Sequence, residues 1–179
     1  MPLHGDALAT LTRWSARNSQ QQELQTSYVA HLRSHRDGLF RSCVPDHLTA
    51  STLVVSADRR RVLLHHHAKY SIWVQFGGHL EPGDETLAAG ARREAVEESG
   101  IDDLELLSET PLQLDTHQVS CGPVRPARHL DVRFVAVAPV GALPVTSQES
   151  VDVRWFHRDQ LPSDLDVGLM QLIEWSGDL

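Results

Sequence analysis

Strand-like runs on both sides of one strong central helix predict a mixed α/β (α+β) layered domain with a helical N-terminal extension. Three observations carry this prediction. Apolar residues recur at helical spacing before residue 45, β-branched runs begin after it, and an alanine-rich stretch over 84–99 sits between strand patterns.

Within 7–36, Leu8, Leu11 and Trp14 lie at helical spacing, and Asn18-Ser19 restarts a second helix through Leu24, Tyr28 and Leu32. Gln20, Gln21, Gln22 and Gln25 read as a solvated helix face. Asp37-Gly38 and Pro45 close the section, so 1–45 is expected as a helical extension and 46–179 as the main domain. Thr52-Leu-Val-Val55, a turn at Asp58-Arg59-Arg60 and Arg61-Val-Leu-Leu64 read as a hairpin. A short strand over 72–76 runs into Gly77-Gly78. The helix over 84–99 has Asp84 as its expected cap and Gly100 just past its end. Further strands are expected over 104–107, 112–119, 130–137 and 151–156, with loops over 121–127 and 139–147. A last helix over 164–175 carries the apolar stripe Leu165, Leu169, Leu172 and Ile173.

The chain has 179 residues, 16 Lys+Arg against 24 Asp+Glu and a formal net charge of −8. With 41% hydrophobic and 22% charged residues, it reads as a folded globular protein. The acidic balance argues against a stable nucleic-acid partner or an anionic membrane surface. No run approaches the roughly 18–20 apolar residues of a membrane helix. The first residues lack a basic region leading into an apolar stretch, so no secretory signal is expected. Cys43 and Cys121 are too few and too far apart for a disulfide scaffold or a cysteine zinc site. A cytoplasmic protein is expected.

The chemistry concentrates in the helix over 84–99. Glu97 and Glu98 stand three and four residues after Glu94, so all three carboxylates share one side, beside the apolar stripe Leu87, Ala88, Ala91 and Ala95. Like charges at this spacing repel, and a bound divalent cation would remove the conflict. Hard cations take such oxygen ligands and keep positions open for water and phosphate. Arg93 supplies a cation to hold one carboxylate. A solvated acidic face is the alternative, and the Gly77-Gly78 loop just before the helix weighs against it.

This stretch resembles the signature of the Nudix hydrolases: Gly, five residues, Glu, seven residues, Arg-Glu, an apolar residue, any residue, Glu-Glu, any residue, Gly, an apolar residue. Gly78, Glu85, Arg93-Glu94, Ala95, Glu97-Glu98, Gly100 and Ile101 match it, with six residues instead of five between Gly78 and Glu85. The resemblance implies an α/β/α sandwich with a mixed sheet. It also implies hydrolysis of a diphosphate linkage in a nucleoside diphosphate derivative, using Mg²⁺ or Mn²⁺. By position, Glu94, Glu97, Glu98 and the Gly77 carbonyl would hold metal, and Arg93 would orient Glu94. Glu149, ahead of a strand ending in Trp155-Phe156, would be a further ligand or the general base.

Other polar residues suggest a substrate site. His79 follows the glycines and is placed to meet phosphate. His129, Asp131 and Arg133 alternate with apolar residues, which fits either a pocket wall or a solvent-facing sheet. Tyr70, in a loop, is placed to stack on a base. His65 and His67 share a strand face, with His66 opposite. The N-terminal helices either pack on the domain or build a homodimer. Two alternatives to hydrolysis are an isopentenyl-diphosphate isomerase-like enzyme and a non-catalytic nucleotide-binding module. Neither cysteine lies in a matching motif, and the intact carboxylates favour hydrolysis of a nucleotide-type substrate such as a nucleoside triphosphate, nucleotide sugar or ADP-ribose.

Overall fold

The first long strand, His47–Val55 (β1), is buried at all nine positions, because strands flank it and helices or polar side chains cover both its faces. The structure, a computed structural model, describes residues 2–119, 124, 126–148 and 150–179. β1 pairs in parallel with Ala127–Val137 (β7), from His47↔His129 to Val55↔Val137. Every other pairing is antiparallel. Arg61–His67 (β2) returns as the expected hairpin, with Val54↔Leu63. Trp73–Val74 (β3) pairs with β2, and Phe76–His79 (β4) pairs with β1. The single strand expected over 72–76 is thus split at Gln75, where the chain changes partner. Glu105–Leu106 (β5) and Gln113–Val119 (β6) both pair with β7, and Ser150–His157 (β8) pairs with β2.

Strand alternation sorts the sheet into two faces. Even-numbered residues of β1 and β7, among them Leu48, Ala50, Leu130, Val132 and Phe134, meet helices Pro2–Arg13 (α1), Ser19–Ser34 (α2) and Leu87–Ser99 (α3). Odd-numbered Leu53, Val55 and Val135 meet Val167–Trp175 (α4) through Leu169, Leu172 and Ile173. Past the start of α4 the odd positions continue as polar residues: His47, Thr49 and Ser51 on β1, and His129, Asp131 and Arg133 on β7. This architecture is the mixed α/β sandwich expected from the sequence.

The N-terminal helices pack on the domain. Leu3, Ala7 and Leu11 of α1, Trp14 just past its end, and Tyr28 and Leu32 of α2 share one core with Leu87, Ala88 and Ala91 of α3. Asn18 caps α2 by accepting from the Gln21 amide at 2.9 Å. The glutamine cluster is only half solvated. Gln20 and Gln22 are exposed, but Gln21 and Gln25 are buried because each satisfies backbone groups. Gln21 donates to the Leu114 carbonyl at 2.9 Å and accepts from the Leu114 amide at 2.8 Å, filling the place of a neighbouring strand. Gln25 donates to the carbonyls of Leu11 and Trp14, which the end of α1 leaves without helical partners.

α3 starts later than expected. Thr86, not Asp84, is its cap, accepting from the Ala89 amide at 3.0 Å, and Asp6 of α1 accepts from the Leu87 amide at 2.9 Å. Gly100 ends the helix in the left-handed conformation (φ 67°) that favours glycine. α4 starts at Val167, capped by Asp166, whose carboxylate accepts from the Leu169 amide.

Candidate active site

The glycines place β4 against both β1 and α3. A Cβ at Gly77 would lie 2.3 Å from the Ser51 Cβ, and one at Gly78 would lie 2.7 Å from Glu94 Oε2. Only residues without side chains let the backbone approach this closely. The Gly77 amide donates to Glu98 Oε2 at 2.7 Å, which fixes a carboxylate only 7% exposed.

Arg93 ties the rest together. Its Nε and Nη2 donate to the two oxygens of Asp84 at 2.9 and 3.1 Å, a two-point contact. Nη1 donates to Glu94 Oε1 at 3.0 Å and to Glu97 Oε2 at 3.2 Å, and Nη2 also reaches the His79 carbonyl at 3.1 Å. The Asp84 hydrogen bonds foremost, with the nearby Glu94, hold the guanidinium above its ordinary pKa. The acidic residue that grips Arg93 is therefore Asp84, separated from Gly78 by five residues, while Glu85 is exposed. Sequence reading assigned Asp84 to capping and missed this contact.

Glu94, Glu97 and Glu98 thus form an oxygen-only donor set on one side of α3, held by Arg93 and the Gly77 amide. That set fits a hard divalent cation. Glu149 lies outside the described residues. Its neighbour Ser150 meets His65 Nδ1 at 2.8 Å.

A second polar cluster is the stripe of odd-numbered residues on the other face of the sheet. Asp131 accepts from Thr49 Oγ1 at 3.0 Å, Ser51 Oγ at 2.7 Å and Arg133 Nε at 2.9 Å. Arg133 also donates to Gln113 Oε1 at 3.0 Å and Asp115 Oδ2 at 2.8 Å. With Asp131 2% and Arg133 3% exposed, this face does not open to solvent, which removes one of the two readings of the alternation. Burial opposes ionisation of Asp115, but the His117 hydrogen bond and Arg133 hold it below the usual carboxylate range.

At the end of the stripe His79 and His129 meet His47, with ring centroids 5.0–5.1 Å apart. Burial lowers all three imidazoles, with neighbouring histidines adding to the effect, His79 to about 4 and His129 to about 3. They are neutral at pH 7. The structure therefore brings the side chains of His79, His129, Asp131 and Arg133 onto one face of the sheet, while Arg93 and the three glutamates stand on α3 at the opposite face and reach β4 through Gly78, the Gly77 amide and the His79 carbonyl. Tyr70 sits in the turn between β2 and β3, its ring against His67 and Lys69. His47, Thr49, Ser51, Gln113 and Asp115 were missed. The signal available was the polar alternation of His47, Thr49 and Ser51 continuing into Leu53 and Val55.

Cys43 is buried, and burial pushes its thiol pKa up, the opposite of what a catalytic cysteine needs. Cys121 lies outside the described residues. No helix among the described residues is long and apolar enough to cross a membrane.

Carboxylates held on a helix against the glycines of β4 suit work on phosphorus-containing acid anhydrides, and a family match over most of the chain places it among hydrolases of that class. The chain belongs to the NUDIX domain family, whose model matches residues 45–176. The fold is similar to that of a NUDIX-family hydrolase from Clostridium perfringens (TM-score 0.57, 22% identity, covering 75% of this chain and 98% of that one). It is also similar to a C. elegans Ap4A hydrolase in a binary complex (TM-score 0.57, 16% identity, 73% and 95% covered). A third similar structure is the NUDIX domain of Shewanella oneidensis NrtR complexed with ADP ribose (TM-score 0.54, 21% identity, 77% and 90% covered). No curated protein matches the chain.

Proposed function

We propose that this chain hydrolyses the phosphoanhydride linkage of a nucleoside diphosphate derivative, with Mg²⁺ or Mn²⁺ as cofactor. The observation that carries this reading is the convergence of Glu94, Glu97 and Glu98 beside the Gly77-Gly78 stretch of β4, with Arg93 bonded to two of them. These carboxylates and the Gly77 carbonyl would hold the cation. When bound, it offsets phosphate charge and lowers the pKa of attached water. The chain's own part is positioning: Arg93 fixes Glu94, and the Gly77 amide fixes Glu98. Glu94 or Glu149 would then accept a proton from the attacking water.

In the same reading His79 and His129 line the substrate site, Asp131 and Arg133 form its floor, and Tyr70 stacks on a base. Residues 1–45 are the helical extension and 46–179 the catalytic domain, working in the cytoplasm. The Ap4A hydrolase and the ADP-ribose complex among the similar structures support a nucleotide-type substrate.

The test is a panel of nucleoside triphosphates, nucleotide sugars, ADP-ribose, dinucleoside polyphosphates and capped RNA with Mg²⁺ or Mn²⁺, scored by released phosphate, pyrophosphate or nucleoside monophosphate. Turnover of the best substrate should vanish on chelation. It should fall by orders of magnitude in Glu98→Gln, with the circular dichroism spectrum unchanged. A Glu98→Gln protein at the wild-type rate would sink the reading.

A further inference from the structure

Three histidines from three different strands meet on the face of the sheet opposite the acidic helix. The strand pairings put them together: His47↔His129 across β1 and β7, and Thr49↔His79 across β1 and β4. One ring nitrogen of each lies within 4.8 Å of the other two. The Nε2 atoms of His47 and His79 are 3.1 Å apart. We propose that His47, His79 and His129 form a binding site for one transition-metal ion of the zinc type, separate from the carboxylate site on α3.

The first argument is distance. A tetrahedral ion with metal–nitrogen bonds of about 2.0–2.1 Å holds two ligand nitrogens about 3.3 Å apart. The His47–His79 pair is already there, and His129 needs only a side-chain adjustment. The ligands stand on hydrogen-bonded strands, so no backbone has to move.

The second argument is the contact behind His47. Its Nδ1 faces the Cys43 carbonyl at 3.3 Å in a buried position. A proton donated there leaves the Nε2 lone pair pointing at His79, the arrangement that orients a metal-binding histidine. Without an ion, the two facing Nε2 atoms share one hydrogen between them.

The third argument is donor chemistry. Imidazoles select zinc, nickel, cobalt or copper, whereas the oxygen donors of α3 select magnesium or manganese. The two sites are linked through β4, whose His79 carbonyl accepts from Arg93 while the His79 ring joins the histidine cluster on the other face of the sheet. Three protein ligands leave a fourth position, which such an ion fills with water or a substrate oxygen.

The test reads metal without substrate, so its outcome is independent of the hydrolase reading. The full chain, freed of any polyhistidine tag and stripped with chelator, is titrated with Zn²⁺ by calorimetry and with Co²⁺ by visible absorption. The zinc-loaded wild type is then examined by X-ray absorption. One zinc per chain is expected, with imidazole scattering from three ligands and the intense visible bands of four-coordinate cobalt. His47→Ala and His129→Ala should each weaken zinc at least as much as the loss of an outer-shell partner does, about 10–100-fold. Glu97→Gln/Glu98→Gln and His67→Ala should keep wild-type zinc affinity. Absence of stoichiometric zinc in the wild type, an oxygen-dominated shell, or loss of zinc in either control instead of the His47 and His129 variants would overturn the site. Because the absorption spectrum uses the wild type, misfolding of a variant does not blur the result.

Discussion

Arg93 donates to three carboxylates and one carbonyl from a single planar group, which a lysine cannot reproduce. Arg93→Lys should therefore lower kcat by at least tenfold while leaving the unfolding midpoint close to wild type, and parallel kinetics and denaturation check this. Equal rates would reduce Arg93 to a surface charge. Arg133 behaves differently because it is buried between Asp131 and Asp115. Arg133→Ala leaves those carboxylates without their cation and should cost about 3–5 kcal/mol, measured by urea unfolding. A loss below about 1 kcal/mol would show that water replaces the guanidinium. The Arg93–Glu94 pair was legible because both residues lie on one helix of known period. Asp84 was not, because its partner depends on how the turn over 81–86 folds back along α3.

At the scale of elements, Gln21 carries the contact between α2 and β6. Gln21→Leu keeps the bulk but strips the amide and carbonyl of Leu114 of their partner. With about 1–3 kcal/mol for each of the two buried groups left unsatisfied, stability should fall by about 2–6 kcal/mol. A change within about 0.5 kcal/mol would mean that α2 does not bind the strand through this residue. Helix boundaries set by local capping were readable, as Asn18 and Gly100 show. Thr86 was not, since Asp84 and Asp6 both compete for the start of α3 and Asp6 is 81 residues away from Leu87. The glutamines were misread because a polar residue on a helix normally faces water. Here the strand edge supplies the hydrogen bonds that make their burial favourable.

For the whole molecule, acid sensitivity comes from the buried histidines, and His65, 2% exposed and stacked on Phe76, contributes apart from the His47–His79–His129 cluster. Burial, reinforced by His67, lowers its pKa to about 4, against an ordinary value of 6.5. The unfolded chain thus takes up the proton first, so stability present above pH 6.5 is lost as the pH falls toward 4. At pH 5 this amounts to about 2 kcal/mol. His65→Asn should lose about that much less than wild type between pH 7 and pH 5 in urea unfolding of metal-free protein, and identical losses would refute the assignment. The sandwich itself was legible, because period-2 and period-3.6 patterns each occur in long runs. The faces were harder, because both sides of β1 and β7 are buried and alternation alone does not say which side is the floor of a site. The family match begins at residue 45, yet α1 and α2, outside it, complete the core. Their placement also governs how the protein behaves in a crowd. β6 ends its side of the sheet, with β7 as its sole strand partner among the described residues. An open strand edge invites a second chain to add on. By seating Gln21 on Leu114, α2 occupies the slot that an incoming strand would take there, so the same helix that completes the core also covers this edge.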